Sequence, residues 1–363
     1  MLTELVRDHF LGMVFGLAIG DALGTPHEGQ LGVTLRARLE GKPLEMRGDP
    51  RRRIAPGQWG DDTGQVVALL EAFNAVRDFD GPEIGGRLLD WFRTNPRGTS
   101  EHTRRVMRIL DNDLDFWQDA GRSSWYESAG TEASDSALAR SLVPGLYFAS
   151  DIHKMVDRTI KVCHITHYDP RCLEAALALN FTLVQFLHRR LPENLNAQTV
   201  AFLEATRQTE EWRTQVLAID EMMLQRYTNF TPDPSYGDLP DETLDAVRAL
   251  GRIRYEDLKT TGRASATAAL AIWCSTHAET FEQAMRLAIL HGGKTDTQGA
   301  ITGALAGARF GFSRIPREWP AALNDSARLM AIGEVLLSRA MIEEERDYQE
   351  GRRDPIRRPP SIM

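Results

Sequence analysis

The stretch His291–Gly311, HGGKTDTQGAITGALAGARFG, decides how the rest of the chain is read. It opens on a Gly-Gly turn and then sets Lys294, Thr295, Asp296 and Thr297 in consecutive positions. The segment that follows is small and apolar, and glycine recurs every fourth residue at Gly299, Gly303, Gly307 and Gly311. A glycine inside a helix costs about 1 kcal/mol relative to alanine, so such a stripe is expected where another element packs too close for side chains. Residues 5–24 carry the same device. Leu5, Phe10, Val14 and Leu17 form an apolar face, and Gly12, Gly16, Gly20 and Gly24 repeat at the same spacing. The two stripes predict a pair of helices in contact, closer than the usual 8–10 Å. The polar cluster sits at the start of the second helix, where unpaired N–H groups and the helix dipole organise ligands.

Composition sets the frame. The chain has 363 residues, 42% hydrophobic and 26% charged, which suits one large globular domain or two smaller ones. No apolar run is long enough to cross a bilayer. The N-terminus shows charges in its first turns and no cleavage pattern, so no membrane association and a cytoplasmic location are expected. Cys163, Cys172 and Cys274 are odd in number and lie in apolar helical contexts; they read as buried free thiols of a reducing compartment. A net charge of -8 gives no support to nucleic-acid binding. Nothing suggests an obligate interface, so a monomer is expected. Lysine occurs only at 42, 154, 161, 259 and 294, which singles out Lys294 inside the central motif.

No segment alternates with strand period, so the fold class is all-α. Helices are expected at 5–24, from about 61 through 73, and at 82–94, 101–119, 135–150 and 154–166. Further ones are expected at 171–190, 197–206, 209–226, 241–250, 264–290 (one or two), 295–311 and 323–345. The stretches 29–60, 120–134 and 227–240 are punctuated by Gly, Pro or polar residues and read as loops. No linker divides the core. One domain over 1–342 is expected, with a polar, mobile tail over 343–363.

Three acidic clusters stand out: Asp21 with Glu28, Asp61-Asp62-Thr63, and Thr295-Asp296-Thr297. Singly, each Asp reads as a helix cap. If the glycine helices touch, the first and third clusters come together. Carboxylates gathered at one place need a cation, and carboxylate plus hydroxyl donors suit Mg²⁺, Ca²⁺ or Mn²⁺.

Several motifs in order carry a resemblance. They are Gly16–Glu28, Asp61-Asp62-Thr63, Trp91 with Asn95–Thr99, Ser136–Arg140, Thr166–Asp169, Gly292–Thr297 and Ile315–Trp319. Together they resemble the ADP-ribosylglycohydrolase family, the dinitrogenase-reductase-activating glycohydrolase type, over about residues 10–320. The resemblance implies a single-domain, all-α orthogonal helical bundle with a binuclear Mg²⁺ or Mn²⁺ centre. It implies hydrolysis of the bond between ADP-ribose and a modified side chain, so ADP-ribose or an ADP-ribosylated protein is the expected partner. Carried onto this chain, Asp61, Asp62, Asp296 and Thr297 are the metal ligands it implies. Glu28, with Asp61, Asp62 and Asp296, is implied for the catalytic work. Asp21, Gly98, Thr99, Ser100, Ser134, Asp135, Ser136 and His167 are expected around the substrate.

Two departures qualify the resemblance. The family's Thr-Asp-Asp-Thr has Gly60 in first place here, and the first Asp of its Gly-Gly-Asp-Thr-Asp-Thr is Lys294. One hydroxyl and one carboxylate ligand are therefore missing, and the Lys294 ammonium is expected to pair with Asp296 or Asp62. One divalent ion or none is expected rather than two. The family's Gly-Asn-Gly loop is Ser134-Asp135-Ser136, where an Asp facing a diphosphate would repel it. The readings are an arginine-type ADP-ribosyl hydrolase with a reduced metal centre, an impaired member that binds ADP-ribose or a partner, or a glycohydrolase of another ribosyl compound.

Overall fold

A computed structural model describes residues 2–94, 97–190, 193–215, 241–259 and 261–349. At its centre lie α1 (Leu2–Gly24) and the helix of the opening stretch, Thr295–Phe310. They run antiparallel, with Gly12 facing Gly307, Gly16 facing Gly303, Gly20 facing Gly299, and Gly24 facing Thr295. A Cβ on any of these glycines would overlap a backbone carbonyl of the opposite helix. The stripes are thus a backbone-to-backbone seam, and the expected contact between them is present.

Around this seam the chain winds through α2 (Gly32–Leu39), α3 (Asp61–Val76), α4 (Gly81–Thr94), α5 (Glu101–Asn112) and α6 (Ala120–Glu127). It continues through α7 (Val143–Tyr147), α8 (Ile152–His164), α9 (Pro170–Leu187), α10 (Leu195–Arg207) and α11 (Glu210–Gln215). The remaining helices are α12 (Glu242–Ala249), α13 (Ala264–His277), α14 (Phe281–Leu290), α15 (Thr295–Phe310), α16 (Glu318–Ala322) and α17 (Ser326–Gln349). α9, α13 and α14 pack on α15, while α17 covers α1 and α3. That explains why α15 is buried on every side from Thr295 to Ala308. α9 is capped by the Asp169 side chain, which accepts from Arg171 N, and Pro170 occupies its first turn, where no N–H is needed. Among the described residues, extended pairing is limited to isolated bridges: Leu31 with Gly292, Asp49 with Ile54, and Ser134 with Arg263. The all-α reading holds.

Several boundaries differ from expectation. The 29–60 stretch contains α2, which buries only Leu35 and Leu39 and so carries little periodic signal. The expected 101–119 helix stops at Asn112, where Asp113 starts a short 3-10 turn over Leu114–Gln118. The 120–134 loop contains α6. The expected 135–150 helix is two 3-10 turns, Asp135–Ala137 and Arg140–Leu142, followed by α7. Residues 343–349, read as tail, continue α17. The second half of the expected 209–226 helix, the 227–240 loop, Asn95, Pro96 and the tail from 350 lie outside the described residues. The three cysteines are buried and free. Among the described residues, no helix is long and apolar enough to cross a membrane.

Candidate active site

The seam delivers three helix ends to one place. The C-terminus of α1 runs through a 3-10 turn, Thr25–His27, into Glu28. The loop after it pairs with the turn before α15: Gly29 N donates to Gly293 O at 2.8 Å and Gly293 N to Gln30 O at 2.9 Å. These bonds set Glu28 beside Lys294, and the Lys294 ammonium lies 3.3 Å from Glu28 Oε1. Lys294 therefore meets Glu28 rather than the expected Asp296 or Asp62, because the paired backbones bring the loop acid to the lysine first. Lys294 also lies along the Gly262 turn, where an added Cβ would sit 3.7 Å from its Cγ.

Asp21 anchors α3 to the end of α1. Its Oδ1 accepts from Gly60 N at 3.0 Å, and its Oδ2 accepts from Thr63 N at 3.0 Å and Thr63 Oγ1 at 2.6 Å. Asp21 was expected at the substrate, but it is fully buried and both its oxygens serve as an external cap for α3. Gly60 fits this arrangement, since a Cβ there would come 2.7 Å from Asp21 Oδ1. The missing hydroxyl at position 60 is linked to the approach of that carboxylate.

Asp61, Asp62 and Asp296 then form one electrostatic cluster. Burial, followed by the charges of Asp296 and Asp21, raises Asp61 to about 7. Burial and the neighbouring Asp61, Asp21 and Asp296 push Asp62 well above the ordinary carboxyl range, against a hydrogen bond with Thr297. Burial and the Asp296 charge also raise Glu28. Burial works against ionised Asp296, yet its hydrogen bond with Glu28 and the Arg52 guanidinium hold it below its ordinary value. Protonated Glu28 beside ionised Asp296 gives the site one acid and one base in contact. Gly98, at φ 84°, lies against Asp61, so only a residue without a side chain suits that turn.

Arg52 is the feature the sequence did not disclose. It comes from the expected loop, and its Nη1 donates to Asp296 Oδ2 at 2.9 Å. Asp296 Oδ1 accepts from Thr297 N at 2.9 Å, so both oxygens are engaged. Among the described residues, no group of three or more His, Cys, Asp or Glu side chains is arranged to hold a metal ion. The donor set does not fit the binuclear centre that the resemblance implies. Asp296 is taken by a guanidinium, Asp21 by backbone, Gly60 offers no hydroxyl, and Lys294 offers a cation.

Behind the acids lies a buried, hydrogen-bonded array of polar side chains. Ser134 Oγ and Ser136 Oγ lie 3.0 and 3.1 Å from His167 Nε2. Arg140 Nη2 donates to His167 Nδ1 at 3.0 Å, which leaves Nε2 as the protonated nitrogen that donates to the serines. Ser136 Oγ in turn meets Ser100 Oγ at 3.1 Å, and Ser100 caps α5. Arg140 Nη1 also donates to Gln65 Oε1 at 2.7 Å. Thr99 is buried beside this array. His167 was expected around the substrate, but it is fully buried behind the serines and kept neutral by burial. Asp135 was expected around the substrate. Its carboxyl instead accepts from Thr267 Oγ1 of α13 at 2.8 Å, and burial lifts it to about 6. The loop thus presents two hydroxyls and turns its acid inward.

A sequence profile of the ADP-ribosylglycohydrolase family matches residues 2–349. The chain belongs to that family. Among curated relatives, it is 24% identical over 338 residues to the ADP-ribosylarginine hydrolase Tri1 of Serratia proteamaculans, covering 93% of this chain and 81% of that one. It is 24% identical over 324 residues to the ADP-ribosyl-[dinitrogen reductase] glycohydrolase of Rhodospirillum rubrum, covering 89% and 93%. A solved structure titled ADP-ribosylglycohydrolase-related protein complex superposes with a TM-score of 0.67 at 27% identity, covering 93% of this chain and all of that one. The fold and the order of the motifs are those of the family, while Gly60 and Lys294 depart from its motifs.

Proposed function

We propose that the chain is a hydrolase of ADP-ribosyl N-glycosides, with ADP-ribosylated arginine in a protein as substrate. The observation that carries this reading is the meeting of Glu28, Asp61, Asp62 and Asp296 at the joined ends of α1, α3 and α15. The name of the Serratia relative, an ADP-ribosylarginine hydrolase, supports the arginine linkage. In the proposed reaction, water attacks the anomeric carbon and the bond from that carbon to the guanidine nitrogen breaks. Glu28 gives its proton to the departing guanidine, and Asp61 takes the proton lost by water. An acid held protonated and a base that titrates near neutrality are suited to these roles. Ionised Asp296 faces the positive charge that develops at the anomeric carbon. The serines at 134, 136 and 100 offer hydroxyls to the rest of the ligand.

A second reading is a member that binds ADP-ribose without turning it over; the guanidinium seated on Asp296 favours it. Release of ADP-ribose from an arginine-ADP-ribosylated protein separates the two. Turnover by the wild type that is lost in Asp61→Asn supports hydrolysis. A thermal shift with ADP-ribose but no release supports binding alone.

A further inference from the structure

Carboxylates buried together demand positive charge, and this chain carries that charge on its own side chains. Arg52 is held by three acceptors on three separate segments. Nη1 donates to Asp296, Nε to Asp49 Oδ2 at 3.1 Å, and Nη2 to Thr25 O at 3.0 Å. Its turn is built for the purpose. Asp49 and Ile54 exchange backbone hydrogen bonds, each 2.9 Å. Gly48 has φ 66° and lies where a Cβ would overlap the Ile54 carbonyl, and Arg53 also has positive φ at 57°. Buried Asp49 accepts from Arg51 N at 2.9 Å, so the carboxylate that grips Arg52 is itself fixed. On the other flank, Lys294 rests on Glu28.

We propose that Arg52, presented by the 48–54 turn, is a built-in cation that stands in for a divalent ion at Asp296, so that the site engages its ribosyl ligand without metal. A guanidinium stays charged at any working pH and cannot be diluted away. Nη1 occupies Asp296 Oδ2 at hydrogen-bond distance, while Mg²⁺ needs a carboxylate oxygen at about 2.0–2.1 Å. The two cations compete for one carboxylate oxygen and repel each other. The other two bonds of Arg52, to Asp49 and Thr25, resist its displacement. The inference rests on the proposed function for the identity of the ligand, but not for its test.

The test is calorimetric titration of Mn²⁺ into the free full-length protein. Wild type and Lys294→Asp, both with Arg52 in place, are expected to show no saturable binding at micromolar Mn²⁺. Arg52→Ala combined with Lys294→Asp is expected to bind one ion or more, at least about tenfold tighter than Lys294→Asp alone. Should the alanine variant fail to fold by circular dichroism, Arg52→Gln with Lys294→Asp replaces it, keeping a polar side chain without the charge. The thermal shift of the wild type with ADP-ribose is expected to be the same with EDTA or Mg²⁺. Stoichiometric Mn²⁺ binding by the wild type overturns the proposal. So does equal affinity, or equal absence of binding, with and without Arg52. Absence of ADP-ribose release would instead count against the hydrolase reading and leaves the Mn²⁺ titration decisive for Arg52.

Discussion

The same two helices are opposite in character at their two ends. Along the seam, α1 and α15 meet through glycine backbones, dry and with no space for a methyl group. At the polar end, the same pair spreads into Glu28, Asp296, Lys294 and, from the neighbouring turn, Arg52, with Asp21 holding the start of α3. The seam tolerates no change in volume, while the polar end is a balance of charges. The first fixes the second: only helices locked in register at four glycine levels hold Asp296 against groups that belong to α3 and the 48–54 turn. Disturbance of the seam should cost the fold, whereas disturbance of the polar end should cost chemistry and leave the fold.

The largest effect is expected from Gly303→Val. Its side chain would overlap the Gly16 carbonyl across the seam, and neither backbone has room to move. Overpacking of this kind costs about 3 kcal/mol or more. Thermal unfolding should show a collapse of stability, or no soluble protein. A variant with an unchanged melting temperature would show that the seam is not rigid.

Next comes Glu28→Gln, which keeps the volume but removes the acid. Loss of a positioned proton donor lowers turnover about a hundredfold or more. The melting temperature should stay near that of the wild type, since a glutamine amide can still donate to Asp296 as the protonated acid does. Equal losses of activity and stability would blur the contrast between the two ends.

Asp21→Ala tests the joint between them. It leaves Gly60 N and Thr63 N without their acceptor in a buried place, at a cost of about 1–3 kcal/mol. Because Asp21 sets the start of α3, activity should fall together with stability. Retained stability would mean that α3 does not need this external cap.

The smallest effect is expected at Glu242, which pairs with Arg263, the residue immediately after the Thr261–Gly262 turn beside Lys294. The hydrogen bond from Arg263 lowers its carboxyl to about 2. A depressed carboxyl stabilises the fold above its unfolded value, near 4.5, and that contribution fades as pH falls toward 2. The pair is half-buried and screened by solvent, so Glu242→Gln should cost only about 1 kcal/mol at pH 7. The difference from the wild type should vanish near pH 2, and a difference that persists there would exclude the ion pair as its cause.

What was legible in the sequence follows the same division. Glycine every fourth residue in a helix is costly unless something fills the space, so the stripes announced both the seam and its partner. Acids placed at helix starts announced Asp61, Asp62 and Asp296. Lys294 was visible as a cation inside an acidic motif, although its partner was not, because Glu28 reaches it through backbone pairing between loops far apart in sequence. Arg52 was not legible. It lies in a run of three arginines in an aperiodic loop, and its contact with Asp296 spans 244 positions. The nearest hint was the run's place just ahead of Gly60-Asp61-Asp62. The roles of Asp21, Asp135 and His167 were also out of reach, since a polar residue near a motif reads the same whether it faces a ligand or a neighbouring helix.

The most direct test of the account is the release of ADP-ribose from an arginine-ADP-ribosylated protein, by wild type and by Asp61→Asn of matched stability. Release by the wild type, reduced about a hundredfold or more in Asp61→Asn, is the predicted result. Release that survives intact in Asp61→Asn, or no release by the wild type with or without divalent metal, would contradict the claim that the joined helix ends form a glycohydrolase centre.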